Sequence, residues 1–105
     1  MYVTIELDKS RNFRYGMKAI SKIEKKLKKP VAKIDFESLT MEDTATIMWA
    51  GLEHEDKGLT PGRVMDLVDE KGNFNDVMNA MKEAFDGAFG VEGEDEEGNE
   101  RGKNE

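Results

Sequence analysis

Apolar and polar positions along this chain recur with two periods, and the first gives way to the second near residue 16. Tyr2-Val3-Thr4-Ile5-Glu6-Leu7 alternates and is rich in β-branched residues. Asp8-Lys9-Ser10-Arg11 has the polarity of a turn, and Asn12-Phe13-Arg14-Tyr15 alternates again. This pattern predicts a β-hairpin with Val3, Ile5 and Leu7 on one face, opposed by Phe13 and Tyr15. A lone hairpin is marginal in water, so it must lie on helices or pair with another strand.

From residue 16 the period is helical. Met17, Ile20, Ile23 and Leu27 mark an inward stripe for a first helix over 16–29, which Pro30 ends. Val31 and Ile34 continue apolar contact through a connector. Thr40 and Asp43 have the form of a capping box before a second helix, Met41 to Glu53, with Ala45, Met48, Trp49 and Leu52 inward. Thr60-Pro61 is a strong helix start: Thr60 caps, Pro61 suits the first turn, and Leu59 with Val64 has staple spacing. That third helix carries Val64, Met65, Leu67 and Val68 and stops at Gly72. Asn73 caps a fourth, striped by Phe74, Val77, Met78, Met81, Phe85, Ala88 and Phe89, with Gly87 and Gly90 weakening its last turn. No internal repeat is visible. The fold class expected is mainly α with an N-terminal β-hairpin (α+β), a small helical domain of four helices.

Composition then changes abruptly at Gly90. Residues 91–105 hold seven acids, two bases, three glycines and one apolar residue. Such a segment buries too little apolar surface to offset its ordering entropy, so a disordered acidic tail is expected after a domain over 1–90. The formal charge of -7 resides mostly there, since the first 90 residues hold 16 acids and 14 bases. Those charges are themselves segregated. Residues 9–33 carry ten bases against Glu24 alone, and residues 35–56 are acidic. The plainer reading is two solvated helix faces; the sharper one is head-to-tail pairing between copies, or attraction of an oppositely charged partner.

Cysteine is absent, which excludes disulfides and thiolate metal sites. No basic leader precedes an apolar run at the start, and no run is long enough to span a membrane, so neither a signal peptide nor membrane attachment is expected. His54, in Glu53-His54-Glu55-Asp56, is the sole histidine. Neighbouring residues at a helix end do not converge on a metal, and a solvated terminus is the expected setting. Without His54 there is no Ser/His/Asp or Cys/His set. Asp66, Asp69 and Glu70 fit the exposed face of the third helix, and the glycines form no phosphate loop. Hence no catalytic residues, metal or cofactor are expected, and an enzyme is disfavoured. Six lysines over 18–29 lack interleaved arginine or aromatics, so nucleic-acid binding is not expected either.

The more useful signal is methionine, a flexible filler of cores and adaptable surfaces: Met17, Met41, Met48, Met65, Met78 and Met81 all fall on predicted helices. With Trp49, Phe74, Phe85 and Phe89 they give a small body much apolar area, part of which is available to a partner. The candidate contact residues are Trp49, Leu52, Phe74, Met78, Met81 and Phe85, with ordinary core as the competing assignment for each.

The succession of segments resembles the small tail assembly chaperones of long-tailed bacteriophages and prophages across residues 2–90. Its anchors are Phe13-Arg14-Tyr15-Gly16-Met17-Lys18-Ala19-Ile20, Ile23-Glu24-Lys25-Lys26-Leu27-Lys28-Lys29-Pro30 and Ile34-Asp35-Phe36-Glu37-Ser38-Leu39-Thr40. They continue with Ile47-Met48-Trp49-Ala50-Gly51-Leu52-Glu53-His54-Glu55-Asp56 and with Leu59-Thr60-Pro61 before Val64-Met65-Asp66-Leu67-Val68-Asp69. The Trp-Ala-Gly-Leu stretch is the most distinctive. The resemblance implies a non-enzymatic protein of the bacterial host cytoplasm that binds the tape measure protein and helps recruit tail tube subunits. It also implies self-association into a homo-oligomer and absence from the finished virion. Two forms made through a ribosomal frameshift are implied as well, this being the short one; Gly102-Lys103-Asn104 is compatible with the slippery codons GGA-AAA-AAC. The alternative from another class is an acidic phage or bacterial regulator acting by nucleic-acid mimicry or protein binding.

Overall fold

A computed structural model describes residues 2–89, the side chain of Phe89 excepted; Gly90 and the acidic tail lie outside the described residues. A two-stranded antiparallel hairpin, β1 (Val3–Glu6) and β2 (Ser10–Phe13), leads into α1 (Met17–Leu27). Two short 3₁₀ turns, Val31–Lys33 and Phe36–Ser38, connect it to α2 (Met41–Leu52), α3 (Pro61–Lys71) and α4 (Phe74–Phe89). The hairpin followed by four helices is the expected α+β class.

The second strand sits two residues earlier than its alternation predicts. The register pairs Val3 with Phe13 and Ile5 with Arg11, so Arg11 belongs to the strand and not to the turn. It is almost completely buried on the face that also carries Phe13 and Tyr15. Burial of a guanidinium requires partners. Asp8 supplies a two-pronged one, at 2.8 Å to Nε and 2.9 Å to Nη2, and Asp56 approaches Nη1 at 3.5 Å. Arg14 leaves the strand because its N–H donates to the Gly51 carbonyl of α2, 2.9 Å away, instead of to β1.

Helix α1 is shorter than predicted at both ends. Pro30 disfavours helical backbone at Lys29. The helix therefore closes earlier, on Lys28 in the left-handed conformation (φ 59°), whose N–H donates to the Glu24 carbonyl at 2.8 Å. The Glu24 carboxylate accepts the Val31 N–H at 2.9 Å and ties the connector back. Ile23 is fully buried and Ile20 and Leu27 half-buried, as expected, but Met17 is 91% exposed. Tyr15, two residues earlier, already fills the core at that end.

Helix α2 is the hub. It packs on α1, α3 and β2, and touches α4. Four inward residues were expected, whereas eight of its twelve are buried. No charged residue occurs between Thr44 and Leu52 to prevent this. The buried hydroxyls of Thr44 and Thr46 donate to the carbonyls of Thr40 and Glu42, each at 2.9 Å, which removes the penalty of an unpaired polar group. Thr40 caps the helix as predicted, accepting the Asp43 N–H at 3.1 Å. Thr60 and Asn73 do the same for α3 and α4, accepting from Arg63 and Asp76, each at 3.1 Å. The inward stripe of α4 is rotated from the predicted one: Val77, Ala80, Met81, Ala84 and Phe85 are buried, while Phe74 and Ala88 are exposed. Its alanines permit close packing, chiefly on β1.

The hairpin is keyed to α2 at Gly51. A Cβ there would lie 2.5 Å from Tyr15 Cζ and 2.9 Å from Phe13 Cδ1. Tyr15 cannot swing away: its hydroxyl donates to the Ile47 carbonyl at 2.7 Å, and its ring meets Phe85 edge-on at 5.1 Å. Gly51→Ala improves helix propensity yet is expected to destabilise the domain by about 1–3 kcal/mol through overpacking. Gly62→Ala, where a Cβ meets nothing closer than 3.9 Å, is expected to be neutral or stabilising by up to about 1 kcal/mol. Lys28→Gly is expected to stabilise by about 1 kcal/mol by relieving the left-handed backbone. Urea unfolding of the three variants checks all of these.

Candidate partner-binding surface

Of the six residues singled out from sequence, the structure assigns three to the interior. Leu52, Met81 and Phe85 are 1%, 0% and 5% exposed. Leu52 faces inward from the hub helix, and Met81 and Phe85 lie on the α4 stripe that closes over the hairpin and Phe36. A partner cannot touch them while the domain is folded, which corrects their assignment as contacts. Met78 is half-buried against the same core.

Trp49 is also half-buried, but its surroundings are those of a structural residue. Its indole Nε1 donates to the Leu59 carbonyl at 2.9 Å, joining α2 to the start of α3. Lys22 and Lys26 of α1 lie over its ring, at 5.5 and 6.0 Å from the centroid. Lys22 is paired at the same time with the Glu53 carboxylate. The lysine face of α1 is thus partly folded onto α2, and Trp49 is covered by cations instead of being open to a partner.

Phe74 is different. It stands 41% exposed at the mouth of an apolar groove of about 170 Å³ between α2, α3 and the start of α4. Buried Thr44, Ala45 and Met48 of α2, with Val64 and Val68 of α3, form the floor. Met41, Met65, Asp69 and Phe74 form the rim, and Met41 is 60% exposed. Long unbranched side chains, those of Met41, Met48 and Met65, line the space between α2 and α3. Such methionines adapt to varied apolar shapes, so the groove suits side chains of a partner helix. Sequence selection missed Met41 and Met65. The signal available was their residue type alone, since methionine suits adaptable surfaces, while their helical spacing does not separate them from core positions.

The strongly coupled charges lie elsewhere and serve the fold. The Arg11 guanidinium holds the Asp8 carboxyl down at about 2, from an ordinary 3.8. The side-chain and backbone N–H groups of Asn12, at 2.8 and 3.0 Å, hold Glu55 below the usual carboxylate range. His54 Nε2 donates to the Asn12 carbonyl at 2.8 Å, and its ring lies 5.9 Å from that of Tyr2. It is half-buried, not at the solvated terminus expected. Together Glu55 and His54 satisfy the outward-facing backbone of β2 at Asn12, so this edge offers no free pairing site there. Burial pushes the Tyr15 phenol well above its usual value and keeps it a donor to Ile47. Among the described residues no cluster of three or more His, Asp or Glu is placed to hold a metal ion, and no helix is long and apolar enough to cross a membrane.

No family model, curated protein or solved structure matches the chain.

The Asp8 carboxylate has a lower pKa folded than unfolded. Its contribution to stability is therefore complete above about pH 4 and is lost as pH falls toward 2. Glu55 acts with the same sign. Asp8→Asn is expected to lower stability at neutral pH and to make the loss between pH 4 and pH 2 shallower without abolishing it. Urea midpoints measured across that range check this.

Proposed function

We propose that this protein is a tail assembly chaperone of a long-tailed bacteriophage or prophage. It acts in the host cytoplasm, holds apolar helical segments of the tape measure protein in solution and helps recruit tail tube subunits. The reading starts from the succession of sequence segments between Phe13 and Asp69. The observation that carries it is the groove rimmed by Met41, Met65 and Phe74, an adaptable apolar surface. The mechanism is stoichiometric. An amphipathic helix of the client lays apolar side chains into the groove, which removes them from water and from one another. Segregation of lysines on α1 from the acids of the later helices supports association between copies as well.

The Trp-Ala-Gly-Leu stretch that marks the resemblance has a physical use here. Trp49 ties α2 to the α3 start, Gly51 admits Tyr15 and Phe13 closely, and Ala50 and Leu52 are buried in the core. Its distinctiveness is that of a scaffold, while contact with the client falls to the groove beside it.

Co-expression with helical fragments of the tape measure protein from the same genome is expected to shift the fragments into the soluble fraction and to give a co-purifying complex. Fragments that stay insoluble and form no complex overturn the proposal. Removal of residues 91–105 is expected to leave folding and self-association unchanged. If acting by nucleic-acid mimicry, the protein would instead lose its activity on removal or neutralisation of that acidic segment.

A further inference from the structure

The segments that form the groove carry charge of one predominant sign. Asp69 is the charged residue of its rim. Glu42, Asp66 and Asp76 are exposed on the three segments that supply the groove. Across residues 41–48, 61–71 and 73–76 there are six acids against Arg63 and Lys71, which stand at opposite ends of α3. The cations gather on a different side of α2. There α1 packs against the face that carries Ala50 and Glu53, and exposes Lys18 and Lys25. The domain is therefore electrically polar across its hub helix, with the apolar groove on the negative flank.

We propose that the groove accepts a basic amphipathic helix: an apolar i, i+3/i+4, i+7 stripe bordered by lysine or arginine. This rests on the groove being the chaperone's contact surface and specifies the chemistry of its client. A basic helix is drawn to the acidic flank and repelled from α1, so the same charges that raise its affinity fix where it docks. An acidic helix with the same stripe is drawn to the lysines of α1 and leaves the groove empty. A second copy of this chain does not supply such a helix from α1. Although α1 is basic, its Ile20, Ile23 and Leu27 are packed on its own body, leaving Met17 as its exposed apolar side chain.

The test uses two fluorescein-labelled peptides, each about 18 residues or roughly five helical turns, with one leucine stripe and flanks of either lysine or glutamate. Anisotropy titration against the full chain is expected to give at least about tenfold tighter binding of the lysine peptide at low salt. That preference shrinks as salt is raised. Asp66→Lys with Asp69→Lys is expected to abolish it. Met41→Asp and the milder Phe74→Ala, both at exposed positions, weaken the lysine peptide by about tenfold with helical circular dichroism unchanged. Equal binding of the two peptides, preference for the glutamate peptide, or indifference to Met41→Asp and Phe74→Ala overturns the proposal. So does a loss of self-association in Met41→Asp by sedimentation velocity, which assigns the groove to a second copy. A tape measure complex indifferent to these variants refutes the groove's role and leaves the chaperone function standing. Selective peptide binding without any tape measure complex does the reverse.

Discussion

The approach of the hairpin to α2 at Gly51 is the contact on which the other arrangements depend. Tyr15 and Phe13 press their rings where a side chain would otherwise stand, and the Tyr15 hydroxyl ends on the Ile47 carbonyl one helical turn earlier. Glycine late in a helix costs about 1 kcal/mol in propensity relative to alanine. The cost is offset by an aromatic cluster in which Phe13, Tyr15, Phe85 and Phe36 meet ring to ring. With the hairpin held there, α4 has a surface to cover and α1 starts from a defined point.

Around that contact the polar groups are paired in a way that makes burial of the hub possible. Arg14 donates to Gly51, and Glu55 and His54 engage Asn12. Arg11 is neutralised by Asp8 and Asp56. The short segment after α2 thus serves as a clasp over the outer edge of β2. A two-stranded sheet has few hydrogen bonds of its own, and its edge would otherwise be open to pairing with other chains. The same clasp uses charges expected from the sequence to sit at a solvated helix terminus, and gives them a structural role.

The surface that remains is divided by α2. On one flank α1 lays Lys22 and Lys26 over Trp49; on the other, methionines and Phe74 surround an open apolar groove with Asp69 on its rim and further acids on the segments that form it. The chaperone role proposed above needs an apolar surface that tolerates many sequences without causing its own aggregation. Methionine side chains provide the tolerance, and acids on the surrounding segments limit indiscriminate contact. The proposed client chemistry follows from this combination and not from any single residue.

The local elements were legible in the sequence because they depend on residues close together in the chain. Thr40, Thr60 and Asn73 cap the helices they precede, and the alternation of Val3, Ile5 and Leu7 marks a strand regardless of what packs on it. What only the tertiary structure decided is which apolar residues remain outside. Leu52, Met81 and Phe85 have the same hydrophobicity as Met41 and Phe74, and periodicity treats them alike; burial depends on which neighbours arrive from distant parts of the chain. Arg11 shows the same limit from the polar side: it reads as a turn residue until Asp8 and Asp56 converge on it and make a buried strand position tolerable. Helix and turn propensities are set by adjacent residues, whereas exposure and charge pairing are set by the packing of all the elements at once.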